Sequence, residues 1–223
     1  MKIFFLIITS YDKNFFKEVF SRYKKECDYK IYDPKKNNEK KFFLSSKKNF
    51  NYLISFANGY IFSKKFLSKF DFYKRINFHP GTPNYPGRTA YHFACYNGEQ
   101  TYGGTMHIMT SKVDNGPILD TKKIKIKSKN KNHEHFQKAG FRAIEILLKK
   151  NLKKIINNDL KIRSDLKWSK RVYTRNDFLS RLQVKENISR KNFFNLIKAF
   201  YTTDRKSLYI KLHNKLFFLK LND

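Results

Sequence analysis

The sequence predicts an α/β fold, a layered domain around a mostly parallel central sheet with a small helix-and-hairpin tail. Three observations predict it. The chain opens on a continuous apolar run, Ile3 to Ile8, with helical spacing directly after it. Strand-like and helix-like segments then alternate as far as residue 156, the pattern of a sheet covered by helices. Two Cys in 223 residues, Cys27 and Cys95, cannot cross-link the chain, so a buried core has to close it, and 40% hydrophobic residues supply one.

The apolar run Ile3 to Ile8 is short and leads into Tyr11-Asp12-Lys13-Asn14 with no small-residue cleavage site, so it reads as a buried strand and not a secretory leader. Phe15, Phe16, Val19, Phe20 and Tyr23 recur at helical spacing. A strand over Tyr29 to Tyr32 follows. The Lys/Asn-rich stretch Pro34 to Lys48 reads as a solvated loop with a little structure around Phe42 to Leu44. Tyr52 to Phe56 is the next buried strand, broken by Asn58-Gly59. Phe62 to Phe70 predicts a short helix, and Arg75 to Phe78 a strand running into the Pro- and Gly-rich loop His79 to Arg88.

Thr89 to Asn97 reads as a helix. Gly103 to Met109 reads as a strand with Thr105, His107 and Met109 on one face, and Pro117 to Lys127 as a second strand, antiparallel to it. His133 to Ile156 is the longest helical stretch, with Phe136, Ala139, Ala143, Ile146, Leu147 and Leu148 as its apolar stripe. Beyond Trp168 come isolated aromatics, a helix around Asn192 to Phe200, and two strand-like runs, Leu208 to Leu212 and Leu216 to Leu221, joined by His213-Asn214-Lys215. These changes of texture divide the chain into a domain over 1–165 and an accessory subdomain over 166–223.

The 48 Lys and Arg against 18 Asp and Glu give a net charge of +30, a surface suited to phosphates, anionic substrates or lipid headgroups. The cations are mostly Lys, accompanied by abundant Asn, Ile, Phe and Tyr, the set that AT-rich codons encode. They are spread along the chain and form no compact basic arm, which argues against a nucleic-acid tract. No apolar stretch is long enough to span a bilayer, and the cysteine usage fits a reducing cytoplasm.

Chemistry concentrates in the loop after Arg75 to Phe78, which holds Asn77, His79, Gly81, Gly87 and Arg88 at the carboxyl end of a strand, where ligands of open α/β sheets collect. Thirty-five residues beyond His79, Asp114 sits on the turn Val113-Asp114-Asn115-Gly116-Pro117-Ile118. An amide N–H donor, an imidazole and a carboxylate make a coherent acyl-transfer set.

These segments also carry a resemblance. Asn77-Phe78-His79-Pro80, Pro83 to Gly87, Asn97-Gly98-Glu99, Gly104-Thr105-Met106-His107 and Asp114 to Ile118 are similar, in order and spacing, to the motifs of the folate-dependent formyltransferases. That family includes glycinamide ribonucleotide, methionyl-tRNA and nucleotide-sugar N-formyltransferases. The resemblance covers Tyr52 to Ile126 well, the first strand in pattern, and the tail weakly, through Arg171 to Phe178 and Ile197 to Tyr201. Two departures stand out: the segment His79-Pro80-Gly81-Thr82-Pro83 is one residue shorter and poorer in Leu than is usual, and Pro86 stands where many members have Arg.

The resemblance implies a Rossmann-like catalytic domain in which Asn77, His79 and Asp114 transfer a formyl group from 10-formyltetrahydrofolate to a primary amine, with no metal. Asn77 and His79 would hydrogen-bond the oxygen on which negative charge grows, and Asp114 would hold His79; the imidazole serves either as that donor or as the base that takes the amine proton. The folate loop falls on Ala57-Asn58-Gly59-Tyr60-Ile61, with Asn115 and Gly116 closing the other side. The length of the tail resembles that of the sugar enzymes, implying a nucleotide-linked 4-amino-4,6-dideoxysugar acceptor for surface polysaccharide (O-antigen) synthesis. Ser10, Lys13, Tyr85, Gly87 and Arg88 are then its contacts, and the tail hairpin a homodimer interface. The alternatives are another amine, such as glycinamide ribonucleotide or methionyl-tRNA, or a basic RNA-binding protein. From the residues alone, His107 is an inward strand residue near the site, His92 a helix residue, and Trp168, Phe193 and Phe200 core or subunit contacts.

Overall fold

A computed structural model of the chain describes residues 2–34, 49–128, 130–202 and 207–221. The strand β1 (Ile3–Ile8) leads through α1 (Lys13–Ser21) to β2 (Cys27–Tyr32), and then come β3 (Tyr52–Phe56), the single-turn α2 (Lys64–Leu67) and β4 (Arg75–His79). The helix α3 (Ala90–Tyr96) separates β4 from β5 (Thr101–Ile108), which is followed by β6 (Ile118–Lys125) and the long α4 (His133–Ile156). The tail holds α5 (Arg175–Ser180), α6 (Arg190–Phe200) and a hairpin of β7 (Tyr209–Leu212) and β8 (Lys215–Phe218). The structure thus has the α/β architecture expected, with a separate two-stranded hairpin at its end. The structure expected around Phe42 to Leu44 lies outside the described residues.

The main sheet has six strands in the order β2-β1-β3-β4-β5-β6. The first four are parallel, and β5 and β6 are antiparallel additions at one side. Strands β1 and β3 are apolar on both faces because both faces are covered. On one face Phe5, Ile7, Ile54, Phe56, Ile76, Phe78, Met106 and Ile108 meet α1 and the stripe Ile144, Leu147, Leu148, Leu152 of α4. The other face carries a smaller cluster in which Leu6, Ile8, Leu53, Phe62, Leu67 and Met109 join. That smaller cover leaves the carboxyl ends of β3 and β4 as the place where polar groups are gathered.

Some boundaries differ from expectation. Helical geometry between Phe62 and Phe70 is confined to α2, whose start Ser63 caps by accepting from the Phe66 N–H at 3.1 Å. The helix α5 replaces part of what read as irregular chain; Thr174 and Asp177 close a reciprocal capping box around its first turn. The hairpin turn is the two residues His213 and Asn214, both at positive φ (45° and 62°), as a primed turn requires.

The tail is bound into the body by a second core, in which Tyr173, Leu182, Leu196, Ala199, Phe200 and Leu208 pack with Tyr85, Phe93, Tyr102 and Phe136. Phe200 is fully buried and Phe193 packs against the same cluster. His92 sits inside it, its Nδ1–H donating to the Ala199 carbonyl and its ring stacked on Phe200 and His133. The hairpin, by contrast, leaves Leu216, Phe217 and Phe218 half exposed.

Candidate active site

Strand register builds the site. In the antiparallel β4–β5 pair Asn77 lies opposite His107 and His79 opposite Thr105, while Ser55 of β3 lies beside Asn77. Alternation puts Asn77, His79, Thr105 and His107 on one face and drives Ile76, Phe78, Met106 and Ile108 into the core on the other. The polar row is thereby fixed by the burial of its apolar neighbours.

Asp114 completes it from the turn after β5, in a left-handed conformation with φ of 38° that re-aims the side chain toward the strands. Its Oδ2 is 3.3 Å from His79 Nδ1 and accepts from the Gly87 N–H at 2.8 Å. Its Oδ1 is 3.3 Å from His107 Nε2 and accepts from Asn77 Nδ2 at 3.4 Å. The carboxylate is 8% exposed, and burial by itself pushes its pKa up. The neighbouring His79, the contacts with His107 and the Gly87 amide outweigh that and hold it well below the usual carboxylate range.

His79 is held from both sides. Its Nε2–H donates to the Tyr85 carbonyl at 3.1 Å, and its Nδ1 faces Asp114, so both ring nitrogens meet acceptors. A Cβ at Gly81 would overlap the His79 ring, so the loop can pass over the imidazole only with glycine there. Gly87 is needed for a different reason: it sits at φ of 101°, and its amide reaches Asp114 while its backbone bridges to Tyr173.

His107 donates from Nδ1–H to the Ile108 carbonyl at 2.9 Å, which leaves Nε2 between the Asn77 amide, at 3.0 Å, and Asp114. Neutral, that nitrogen accepts from Asn77; protonated, it donates to the carboxylate. The indole of Trp168 packs edge-on against His107 with centroids 5.0 Å apart, and lies 6.0 Å from His79.

The other expected site residues fall in three groups. The segment 57–61 emerges at the carboxyl end of β3, with Ala57 at φ of 49°, Gly59, Tyr60 and Ile61 exposed, and the Asn58 Nδ2 buried without a partner. Asn115 is exposed and Gly116 buried on the Asp114 turn. Ser10 and Lys13 are exposed past the end of β1, where the Ser10 hydroxyl donates to Asp33 at 2.6 Å. Arg88 is exposed beside Gly87, its N–H donating to the Tyr173 carbonyl at 2.9 Å. Tyr85 departs from expectation. Its ring is buried and stacked on Tyr173, and its hydroxyl is engaged by Glu99 and Asn97, so it meets the site through its carbonyl alone.

Two residues at the site were not singled out for it by the sequence. His107 was legible as an inward strand residue, but its bond to Asn77 depends on the β4–β5 register. Trp168 arrives from 54 positions beyond Asp114 and has no local signal except that it is the chain's one Trp. Chemically, the set offers amide and imidazole groups around a buried carboxylate, which suits stabilising a growing oxyanion and relaying a proton.

Comparison with known proteins agrees with this chemistry. Residues 8–149 match the family described as formyl transferase. A curated relative, the bifunctional polymyxin resistance protein ArnA of Wigglesworthia glossinidia brevipalpis, is 32% identical over 160 residues, 69% of this chain and 24% of that protein. The chain therefore spans about a quarter of the length of the curated relative it matches. Among solved structures, a sugar N-formyltransferase from a Shewanella species superposes with a TM-score of 0.79 at 18% identity, covering 98% of this chain and 97% of that one. A 4-N formyltransferase from Francisella tularensis gives 0.78 at 16% identity, with 99% and 98% covered. The N-formyltransferase of Helicobacter canadensis, solved with folinic acid and dTDP-3-aminofucose, gives 0.71 at 17% identity, with 96% and 85% covered. At such identities these likenesses establish the shared fold.

Proposed function

This chain belongs to the formyl transferase family, and on that premise we propose that it transfers a formyl group from 10-formyltetrahydrofolate to the amine of a nucleotide-linked 4-amino-4,6-dideoxysugar. The observation that carries the reading is the convergence of Asn77, His79 and Asp114 within hydrogen-bonding reach at the carboxyl end of β4. The whole-length likeness to sugar N-formyltransferases supports the choice of acceptor.

When bound, the folate supplies an activated formyl carbon, and the remaining work falls to this chain. As charge develops on the formyl oxygen, the Asn77 amide turns a hydrogen to it from His107 or Asp114, and His79 Nε2–H exchanges the Tyr85 carbonyl for it. Asp114 orients His79 through Nδ1 and, with it, helps move the proton that leaves the amine. The segment Ala57 to Ile61 holds the pterin, where the unpartnered Asn58 Nδ2 is a donor in want of an acceptor. Asn115 and Gly116 close the opposite side. Ser10, Lys13 and Arg88 contact the sugar's diphosphate, and Gly87 lines the amine end. No metal enters the scheme.

The same proposal places the product in surface polysaccharide (O-antigen) synthesis in the cytoplasm, takes 1–165 as the catalytic domain and 166–223 as an accessory subdomain, and has the exposed hairpin pair two copies into a homodimer. Among the described residues no helix is long and apolar enough to cross a membrane. The test is a panel of amines with purified protein and 10-formyltetrahydrofolate, read by mass spectrometry. Formylated amino sugar is the expected product; formylation of glycinamide ribonucleotide or charged initiator tRNA in its place refutes the acceptor, and no formylated amine at all refutes the activity.

A further inference from the structure

The segment that follows the sheet's last helix returns to the site as a strap. The Ser169 N–H donates to the Pro83 carbonyl, the Tyr173 N–H to Pro86 and the Arg88 N–H back to Tyr173, each at 2.9 Å. The strap thus runs along the loop whose Gly87 amide holds Asp114. At its head the Trp168 Nε1–H donates to the Gly116 carbonyl at 2.8 Å, two residues past Asp114. The Trp168 indole therefore holds one of the two backbone segments that aim the carboxylate, the backbone directly after it holds the other, and the ring packs against the two imidazoles that the carboxylate joins. The indole is only partly buried, so it forms a wall of the site and not part of the interior.

We infer that Trp168 is a positioning residue for formyl transfer: it pins the Asp114–Gly116 turn so that one carboxylate oxygen stays on His79 and the other on His107. This rests on the function proposed above and extends its site to the tail. Three consequences distinguish it from a packing role. Loss of the indole N–H frees the turn, so the rate constant falls by much more than the affinity for either substrate changes. Both histidines feel the change together, because both share the ring and the carboxylate. Finally, a shorter ring that still carries an N–H restores part of what is lost.

The experiment compares wild type, Trp168→Phe and Trp168→His. We expect Trp168→Phe to lower kcat about tenfold, the worth of one well-aligned hydrogen bond, with KM for amine and folate within about twofold. Trp168→His recovers part of that loss. In histidine-detected NMR of the protein without substrates, the ring signals of His79 and His107 shift in Trp168→Phe, and those of His92, His133, His135 and His213 hold still. An unchanged kcat, unmoved signals from the two site histidines, or equal losses in both variants that track their urea midpoints overturns the inference. A wild type that formylates no amine, with the two histidine signals still moving in Trp168→Phe, refutes the proposed function and leaves the positioning contact standing.

Discussion

Acid should loosen the tail from the body through one buried imidazole. His92 is 3% exposed, and burial, reinforced by the neighbouring His133, pushes its pKa down to about 4, against an ordinary value near 6.5. The Ala199 carbonyl works the other way by accepting from Nδ1–H, and burial prevails. Because the folded state holds the neutral form, the unfolded chain binds more protons between those two values, and stability falls as pH drops through about 6.5 toward 4. With these values the loss relative to neutral pH is about 2 kcal/mol at pH 5 and about 3 kcal/mol at pH 4. The substitution His92→Phe keeps a ring in the stack with Phe178 and Phe200 and removes the titration. It leaves the Ala199 carbonyl unpaired, a cost of about 1–3 kcal/mol that is the same at every pH. Urea unfolding at pH 7, 6 and 5, followed by circular dichroism, separates the two effects. Between pH 7 and 5 the wild-type midpoint should fall by about 1 M more than that of the variant, taking a slope of roughly 2 kcal/mol/M. Parallel pH profiles for the two proteins would refute the argument.

Three further outcomes follow from the site. Gly81→Ala places a methyl group where the His79 ring lies, and should lower kcat/KM at least about 100-fold while circular dichroism stays native, since His79 and the Tyr85 carbonyl are displaced and the sheet is not. Asp114→Asn sets an amide hydrogen against donors on either oxygen's side, so a loss of about 10²–10³ in kcat/KM is expected in steady-state kinetics, with about 3 kcal/mol lost in urea unfolding at pH 7. The carboxylate's contribution to stability is present above the ordinary pKa near 4 and vanishes as pH falls through its lowered folded value, so the gap between the two proteins should narrow in acid. Tyr85→Phe removes bonds to Glu99 and Asn97 only, so melting should register about 1 kcal/mol while KM for the amino sugar moves less than about twofold.

Continuous apolar strands and strong helical periodicity were legible in the sequence: Ile3–Ile8, Tyr52–Phe56 and His133–Ile156 appear within the bounds that local pattern sets. The catalytic candidates were legible because Asn77, His79 and Asp114 lie in loop-bounded motifs whose composition departs from that of a plain connector. What escaped local reading depends on distant chain. The role of His107 comes from pairing across β4 and β5, next to a register shift at Met106 and His107. The placement of Trp168 comes from backbone bonds to residues 83–88. The Tyr85 ring turns away from the site because Tyr173, 88 positions further on, offers it a stacking partner. In the tail, α5 is six residues long and held by its cap, so hydrophobic spacing had little length in which to show.

The strap also sets a time on the ribosome. Tyr173 is synthesised 59 residues after Asp114, the last of the catalytic candidates, a delay of roughly 3–12 seconds at ordinary translation speeds. During that interval a nascent chain already owns its catalytic side chains but lacks the backbone that braces the loop beside them. Substrate-binding competence should therefore emerge late in synthesis, after the sheet has formed.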